Sequence, residues 1–273
     1  MRKAVALTIA GSDPSGGAGI QADLKTFHQF GVYGEAVITL LTVQNTVTVE
    51  AVRLVEDRFV VQQLEAVLRD VPPMAAKTGA LGDTGIIEAV AGAAEHFRFP
   101  LVVDPVMISK HGAPLIAEEA RGALAKRLMP RAFLVTPNLH EAATLAGMAV
   151  EDLEGMKEAA RRLRGMGARA VLVKGGHLAG TAVDLLYTAD GVFYEYEAER
   201  IETGHTHGTG CTYSAAITAC LARGVGLVEA VGAAKRYITE AIRTNPGLGN
   251  GSGPVNHHAG VGGMATDEWD ERG

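Results

Sequence analysis

With only two cysteines, Cys211 and Cys220, this 273-residue chain has no disulfide framework. They stand nine positions apart, so on one helix they point to opposite faces and cannot bridge each other. No long basic run occurs and the formal charge is −6, which argues against nucleic acid and anionic membrane as partners. No apolar segment approaches a bilayer span, and the run before Gly11 is too brief for a secretory leader core with a cleavage site. A cytoplasmic protein is therefore expected. No G-x-x-x-x-G-K-[ST] phosphate loop is present. His205, His207, His257 and His258 lack zinc-ligand spacing and read as loop residues. Internal repeats, long linkers and low-complexity blocks are also missing, so one domain over residues 1–273 is expected.

What the chain does have is apolar material, 47 % of its residues, and 34 glycines: enough for a large core with many tight turns. Continuous apolar runs without helical period, at residues 4–10, 37–43, 101–105, 133–137 and 170–174, read as buried parallel strands. Shorter strands are expected at 49–55 and within 75–81, and a hairpin over 184–188 and 192–196 around Asp190-Gly191. Helical periodicity marks the segment from Ile20, then 59–68, 84–97, 115–128, 139–145, 153–163, 213–221 and 228–242. Strands alternating with helices predict an α/β fold, a mostly parallel sheet covered on both faces.

In such sheets ligands bind beyond the carboxyl ends of the strands. The conspicuous polar positions fall there: Gly11-Ser12-Asp13, Gln44-Asn45, Lys77, Asp104, Asn138 with Glu141, Lys174 and the turn Thr206-His207-Gly208-Thr209-Gly210-Cys211-Thr212. That turn opens a helix, whose unpaired N–H groups and positive dipole end suit a phosphate and favour the Cys211 thiolate. An N-cap with a buried thiol is the plainer alternative. Asp104 and Glu141 offer hard oxygens suited to Mg²⁺, or else serve as a turn residue and a first-turn acid. Lys174 can neutralise transferring phosphate or simply extend to solvent from a strand end. Gln44 can donate and accept together, which suits the edge of a heterocycle, or is an ordinary loop amide. Gly17-Ala18-Gly19-Ile20-Gln21-Ala22 fits a dinucleotide fingerprint, but the second strand ends in Val43-Gln44-Asn45 without its ribose-binding acid. An NAD-dependent oxidoreductase is thus the distant alternative.

Taken together, the segments from Gly11 to Asp23, Gln44-Asn45-Thr46, Asp104-Pro105-Val106-Met107, Thr136-Pro137-Asn138, Lys174-Gly175-Gly176-His177, His207 to Cys211 and Gly253 to His258 resemble the ribokinase superfamily. They are most similar to its hydroxymethylpyrimidine/phosphomethylpyrimidine kinases. The resemblance implies a ribokinase-like fold and ATP- and Mg²⁺-dependent phosphorylation of 4-amino-5-hydroxymethyl-2-methylpyrimidine, then of its monophosphate, in thiamin biosynthesis. It implies substrate contacts from Gln44, Gly11, Asp13, Ala18, Val43, Ala80 and Val106. Gly208, Thr209, Gly210 and Cys211 become the anion hole, with Cys211 where sugar kinases carry an aspartate base. Lys174, Thr203, Gly208 and Gly210 meet ATP, Asp104 and Glu141 organise Mg²⁺ through water, residues 109–112 with Lys110 form a flap, and the assembly is a homodimer. Two departures stand out: Ala80, where relatives often carry a bulkier Met, and Glu202-Thr203-Gly204-His205, where Lys or Asn is more usual. A pyridoxal or pyridoxine kinase of the same superfamily is the near alternative.

Overall fold

The computed structural model describes residues 3–108, 112, 115–176 and 182–262. The expected flap, Gly112 apart, and His177 lie outside the described residues. The apolar runs form a nine-stranded sheet in the order β3-β2-β1-β4-β5-β6-β7-β8-β9. Its strands are β1 (Val5–Ser12), β2 (Tyr33–Gln44), β3 (Val49–Leu54), β4 (Ala75–Thr78), β5 (Leu101–Val103), β6 (Leu134–Val135), β7 (Val171–Gly175), β8 (Ala182–Tyr187) and β9 (Phe193–Ala198). From β2 to β7 every pairing is parallel, whereas β3, β8 and β9 join antiparallel at the two edges. The β8–β9 hairpin turns at Gly191, whose φ of +83° needs no Cβ to be avoided.

Alternation along each strand divides the core in two. Leu7, Ile9, Val37, Val103 and Val173 face one way, against α2 (Asp57–Asp70), α3 (Thr84–Ala94), α5 (Leu139–Ala146) and α6 (Leu153–Gly165). Ala6, Val102, Leu134 and Leu172 face the other, against α1 (Gly19–Gln29), α7 (Thr209–Ala222) and α8 (Leu227–Arg243). Each fully buried Leu, Ile or Phe contributes about 1.5–3 kcal/mol of transfer free energy. In α7 every residue from 212 to 222 is buried, and Ala215, Ala216 and Ala219 let this helix lie close to the sheet.

The helix expected at 115–128 is different. Ile116 bridges to Gly82 and Ala117 donates to the Gly82 carbonyl at 2.9 Å, so helix α4 (Ala120–Ala123) starts late. It loosens into a π turn at Leu124–Leu128 and a 3₁₀ turn at Met129–Arg131, where Pro130 has no N–H to continue the ladder.

Candidate active site

The parallel strands end on one edge, and α7 begins there. A cleft of about 530 Å³ runs along it from the end of β2 to the segment after β9. Midway, Gly208 caps α7 with φ +78°, and the first bond of the helix ladder joins the Thr212 N–H to the Gly208 carbonyl at 2.8 Å. The N–H groups of Gly210 and Cys211 precede that bond, at the positive end of the dipole. A Cβ on Gly210 would stand 3.3 Å from Lys174 Nζ, so this glycine keeps the turn beside the lysine.

Two glycine loops cross under this turn. A Cβ on Gly208 would lie 1.7 Å from the Gly17 carbonyl oxygen, and one on Gly17 2.4 Å from the His207 ring. The close approach that the Gly17-Ala18-Gly19 sequence permits is thus occupied by the protein's own chain. Gly19 lies at φ +57°, and its backbone N–H works against the burial that raises the Cys211 thiol.

Lys174 Nζ donates to Asp104 Oδ1 at 2.9 Å; Thr136 and Ser214 hydroxyls donate to the same carboxylate at 3.1 and 3.2 Å. Burial alone would raise the Asp104 pKa, but Lys174 and Lys77 outweigh it and hold the carboxyl below the usual range. Lys174 stays charged, since Asp104 and Glu141 override its own burial. Glu141 closes a capping box with Asn138, accepting from the Asn138 N–H at 2.8 Å. Burial pushes its carboxyl up to about 7, against Lys174 and helped by the Asp104 charge.

A magnesium ion suits this chemistry. Asp104 and Glu141 both line the cleft, and a dication would relieve the repulsion that lifts Glu141. Among the described residues no cluster of three or more His, Cys, Asp or Glu could hold a metal directly. The two carboxylates therefore fit an ion that keeps most of its waters and borrows phosphate oxygens.

Of the other expected residues, Gly11, Asp13, Ala18, Gln44, Ala80 and Val106 line the cleft on the β2 side and Thr203 on the β9 side. Val43 does not join them. Strand alternation that turns Thr42 and Gln44 inward leaves Val43 outward and 55 % exposed. Cys211 differs from expectation in charge: burial pushes its thiol up to about 11, Lys77 opposes this, and Asp23 and Asp104 add to it.

Three sets of contacts were not expected from the sequence. His207 Nε2 lies 2.8 Å from Asp13 Oδ2 and 3.2 Å from Gln44 Nε2, so it joins both loops to the end of β2. Lys77 is fully buried in an ion pair with Asp23 at 2.7 Å, and Thr8 donates to the same acid at 2.6 Å. Lys77 also reaches the Cys211 carbonyl at 3.4 Å, which puts a positive charge beneath the turn. At the far end, Asp184 accepts from Lys235 at 2.7 Å and from the Gly175 N–H at 2.9 Å. Lys77 was named from the sequence as a polar position at a strand end, and its pairing with Asp23 could have been sought because a buried charge needs a partner. The others depend on contacts that no spacing encodes.

The sequence model of the phosphomethylpyrimidine kinase family matches residues 13–256. The chain belongs to this family. Among family relatives, a hydroxymethylpyrimidine/phosphomethylpyrimidine kinase of Staphylococcus aureus is 44 % identical over 93 % of this chain and 94 % of its own length. The thiamine biosynthesis bifunctional protein ThiED of Geobacter sulfurreducens is 52 % identical over 92 % of this chain, which spans about half (51 %) of that longer protein. Among solved structures, a phosphomethylpyrimidine kinase from Clostridium difficile superposes with TM-score 0.79 at 45 % identity, covering 88 % of this chain and 100 % of that one. An ADP complex of Bacillus subtilis pyridoxal kinase gives TM-score 0.87 at 40 % identity, covering 94 % and 98 %. The family fold is thus the ribokinase-like α/β architecture expected from the sequence. No helix among the described residues is long and apolar enough to cross a membrane.

Proposed function

We propose that this kinase transfers the γ-phosphoryl group of ATP to the hydroxymethyl oxygen of 4-amino-5-hydroxymethyl-2-methylpyrimidine and then to the resulting monophosphate, in thiamin biosynthesis. The observation that carries this reading is the order along the cleft. Gln44 and the Gly11 loop lie on one side of the Gly208–Cys211 turn, and Thr203 and the Asp184–Lys235 pair on the other, so two ligands meet at the turn.

In this reading Gln44, the Gly11 loop and Val106 hold the ring, with the hydroxymethyl group aimed at the turn. The Gly210 and Cys211 N–H groups and Lys174 receive the charge that spreads over the transferring phosphoryl oxygens. Thr203 and Lys174 position the nucleotide. Mg²⁺, held by Asp104 and Glu141 through water, would supply further neutralisation of phosphate charge. A loose transition state asks little of a base, so a protonated Cys211 is compatible with turnover. The reading includes a homodimer, for which Leu41 and Val43, exposed on the same face of β2, offer an apolar surface; sedimentation velocity would test it.

Pyridoxal is the second substrate to test, because pyridoxal kinases superpose at TM-score 0.87 and Ala80 leaves that wall of the cleft small. Each compound is incubated separately with ATP and Mg²⁺ and its products are weighed by mass spectrometry. Mono- and diphosphate from the pyrimidines, with slow pyridoxal turnover, are expected. Predominant pyridoxal phosphate would move the assignment to the second substrate, and no product from any would overturn both.

A further inference from the structure

Gln44 sits between two neighbours that each decide which way its amide points. As placed, its Nε2 lies 3.2 Å from His207 Nε2, and its Oε1 lies 3.3 Å from Thr42 Oγ1. Turning the amide by 180° exchanges these two atoms at almost no cost, so its orientation is assigned from the hydrogen-bond network.

The network gives one answer. Asp13 accepts from the Ser15 N–H at 2.9 Å, the Ser15 hydroxyl at 2.7 Å and the Ala18 N–H at 2.9 Å, besides facing His207 Nε2 at 2.8 Å. Burial would raise its pKa, but the bonds from His207 and Ser15 outweigh that and keep it ionised. An ionised carboxylate has only lone pairs to offer, so the proton in the contact belongs to His207 Nε2. A protonated Nε2 has no lone pair with which to accept from an amide NH₂; toward Gln44 it can only share, in a three-centre contact, the hydrogen directed mainly at Asp13, and that requires an oxygen. On the other side, Thr42 gives its single hydroxyl hydrogen to the Ser12 carbonyl at 3.0 Å. Toward Gln44 it can then only accept, and that requires the NH₂ group. Both neighbours demand the same half-turn of the amide.

We infer that His207, locked by Asp13 as an Nε2–H donor, holds Gln44 with Oε1 toward the histidine and NH₂ toward Thr42, and thereby sets the direction in which the cleft reads a donor–acceptor ring edge. This rests on the reading above that Gln44 meets the organic substrate. An aminopyrimidine presents an exocyclic N–H donor beside a ring-nitrogen acceptor. Its hydroxymethyl group must face the Gly208–Cys211 turn, so the ring cannot turn over to suit a reversed amide. A 4-oxo analogue, which carries an acceptor beside a ring N–H, presents the opposite order and leaves two buried polar pairs mismatched. His207 is thus a positioning residue that determines specificity through Gln44.

The test compares kcat/KM for the 4-amino substrate and its 4-oxo analogue in the wild type, His207→Gln and His207→Leu. Glutamine places an N–H donor where the imidazole Nε2 stood; leucine removes it. The amino-to-oxo ratio is expected to fall about tenfold or more in His207→Leu, with the change carried by KM, and to stay within about threefold of wild type in His207→Gln. A ratio unchanged in His207→Leu, or lost equally in both variants, overturns the inference. A general disturbance of the anion hole would lower both substrates together and leave the ratio in place.

A second measurement needs neither variant nor turnover. In ¹⁵N-labelled wild-type protein, two-bond ¹H–¹⁵N spectra are expected to show a protonated, pyrrole-type His207 Nε2, with the Gln44 NH₂ close to the Thr42 methyl group. A pyridine-type Nε2 overturns the inference even if the leucine variant does not fold. Should neither pyrimidine be phosphorylated, the proposed function fails, while these spectra still decide the state of His207 and Gln44.

Discussion

At Cys211 the helix end and the loss of water act on the thiol in opposite directions. A favourable helix terminus is worth about 0.3–2 kcal/mol, roughly one pKa unit, whereas full burial can shift a group by about 3–5 units. Burial wins, and the thiol rises to about 11. Alkylation of Cys211 by iodoacetamide should therefore climb steadily with pH through 9, with Cys220 buried and silent. A rate that levels off near pH 7 would show a thiolate and refute this. Likewise, Cys211→Ala should lower kcat by about tenfold and barely alter KM for the pyrimidine, short of the roughly 10²–10⁴-fold loss when a general base is removed.

Glu35, on β2 away from the cleft, shows the same contest with a different consequence. Burial raises its carboxyl to about 7, and the nearby Asp70 charge adds to the rise. The folded chain therefore keeps a proton that the unfolded chain, with a value of 4.5, has already lost. Stability contributed by the neutral form is complete below about pH 4.5 and disappears as pH rises through about 7. Glu35→Gln should accordingly raise Tm at pH 8 and leave it nearly unchanged at pH 4.5, as read by thermal melts at both values. Equal gains at the two pH values would sink the idea.

Among the elements, the crossing of the Gly17 and Gly208 loops is the most constrained. Alanine at 208 costs about 1–2 kcal/mol for its left-handed backbone, before any overlap with the Gly17 carbonyl is relieved. The overlap must push the turn aside, and a displacement of about 1 Å at a reacting centre costs about 100-fold in rate. Gly208→Ala should lose turnover by that factor while Tm falls by only a few degrees, measured side by side; preserved turnover would mean that the turn is not where transfer occurs. The elements themselves were legible. Runs such as residues 4–10 and 170–174 are strands because burial on both faces keeps them apolar apart from Thr8, which is satisfied by Asp23, and Lys174 at the strand end. The helix at 115–128 was not, because its late start depends on Gly82, distant in sequence. The lining of the candidate cleft was legible where polar residues sit at strand ends, as with Asp104, Lys174 and Gln44. It was illegible at His207, whose partners lie 194 and 163 positions away. The Val43 side chain turns away from the cleft because neighbouring residues on a strand face opposite sides.

For the whole molecule, the segment after α8 is what completes the cleft. Its Gly253 carbonyl accepts from the His207 N–H at 3.0 Å, and the Val255 N–H returns a bond to the His207 carbonyl at 3.3 Å. Asn256 donates to the Ala241 carbonyl at 2.9 Å, Tyr237 to the His257 carbonyl at 3.0 Å and Gln29 to the Ala259 carbonyl at 3.0 Å. His257 itself sits 3.1 Å from Thr212 in the first turn of α7. Among the described residues, this strap adds Val255 and Ala259 to the buried apolar core. A chain ending at Thr244 should therefore still fold, with a lower Tm, yet lose at least about 100-fold in kcat/KM. Activity within about twofold of the full chain would show that the strap does not hold the turn.

The His207–Pro254 bridge also fixes when the enzyme can begin to work during its own synthesis. At about 5–20 residues per second, some two to nine seconds separate translation of Cys211 from translation of Val255. During that interval α7 and α8, which supply most of the second core, are themselves made, while the Gly208–Cys211 turn still lacks the segment that braces it. A nascent chain consequently has nearly all of both cores once α8 is made, but becomes competent only when the segment around Pro254 follows.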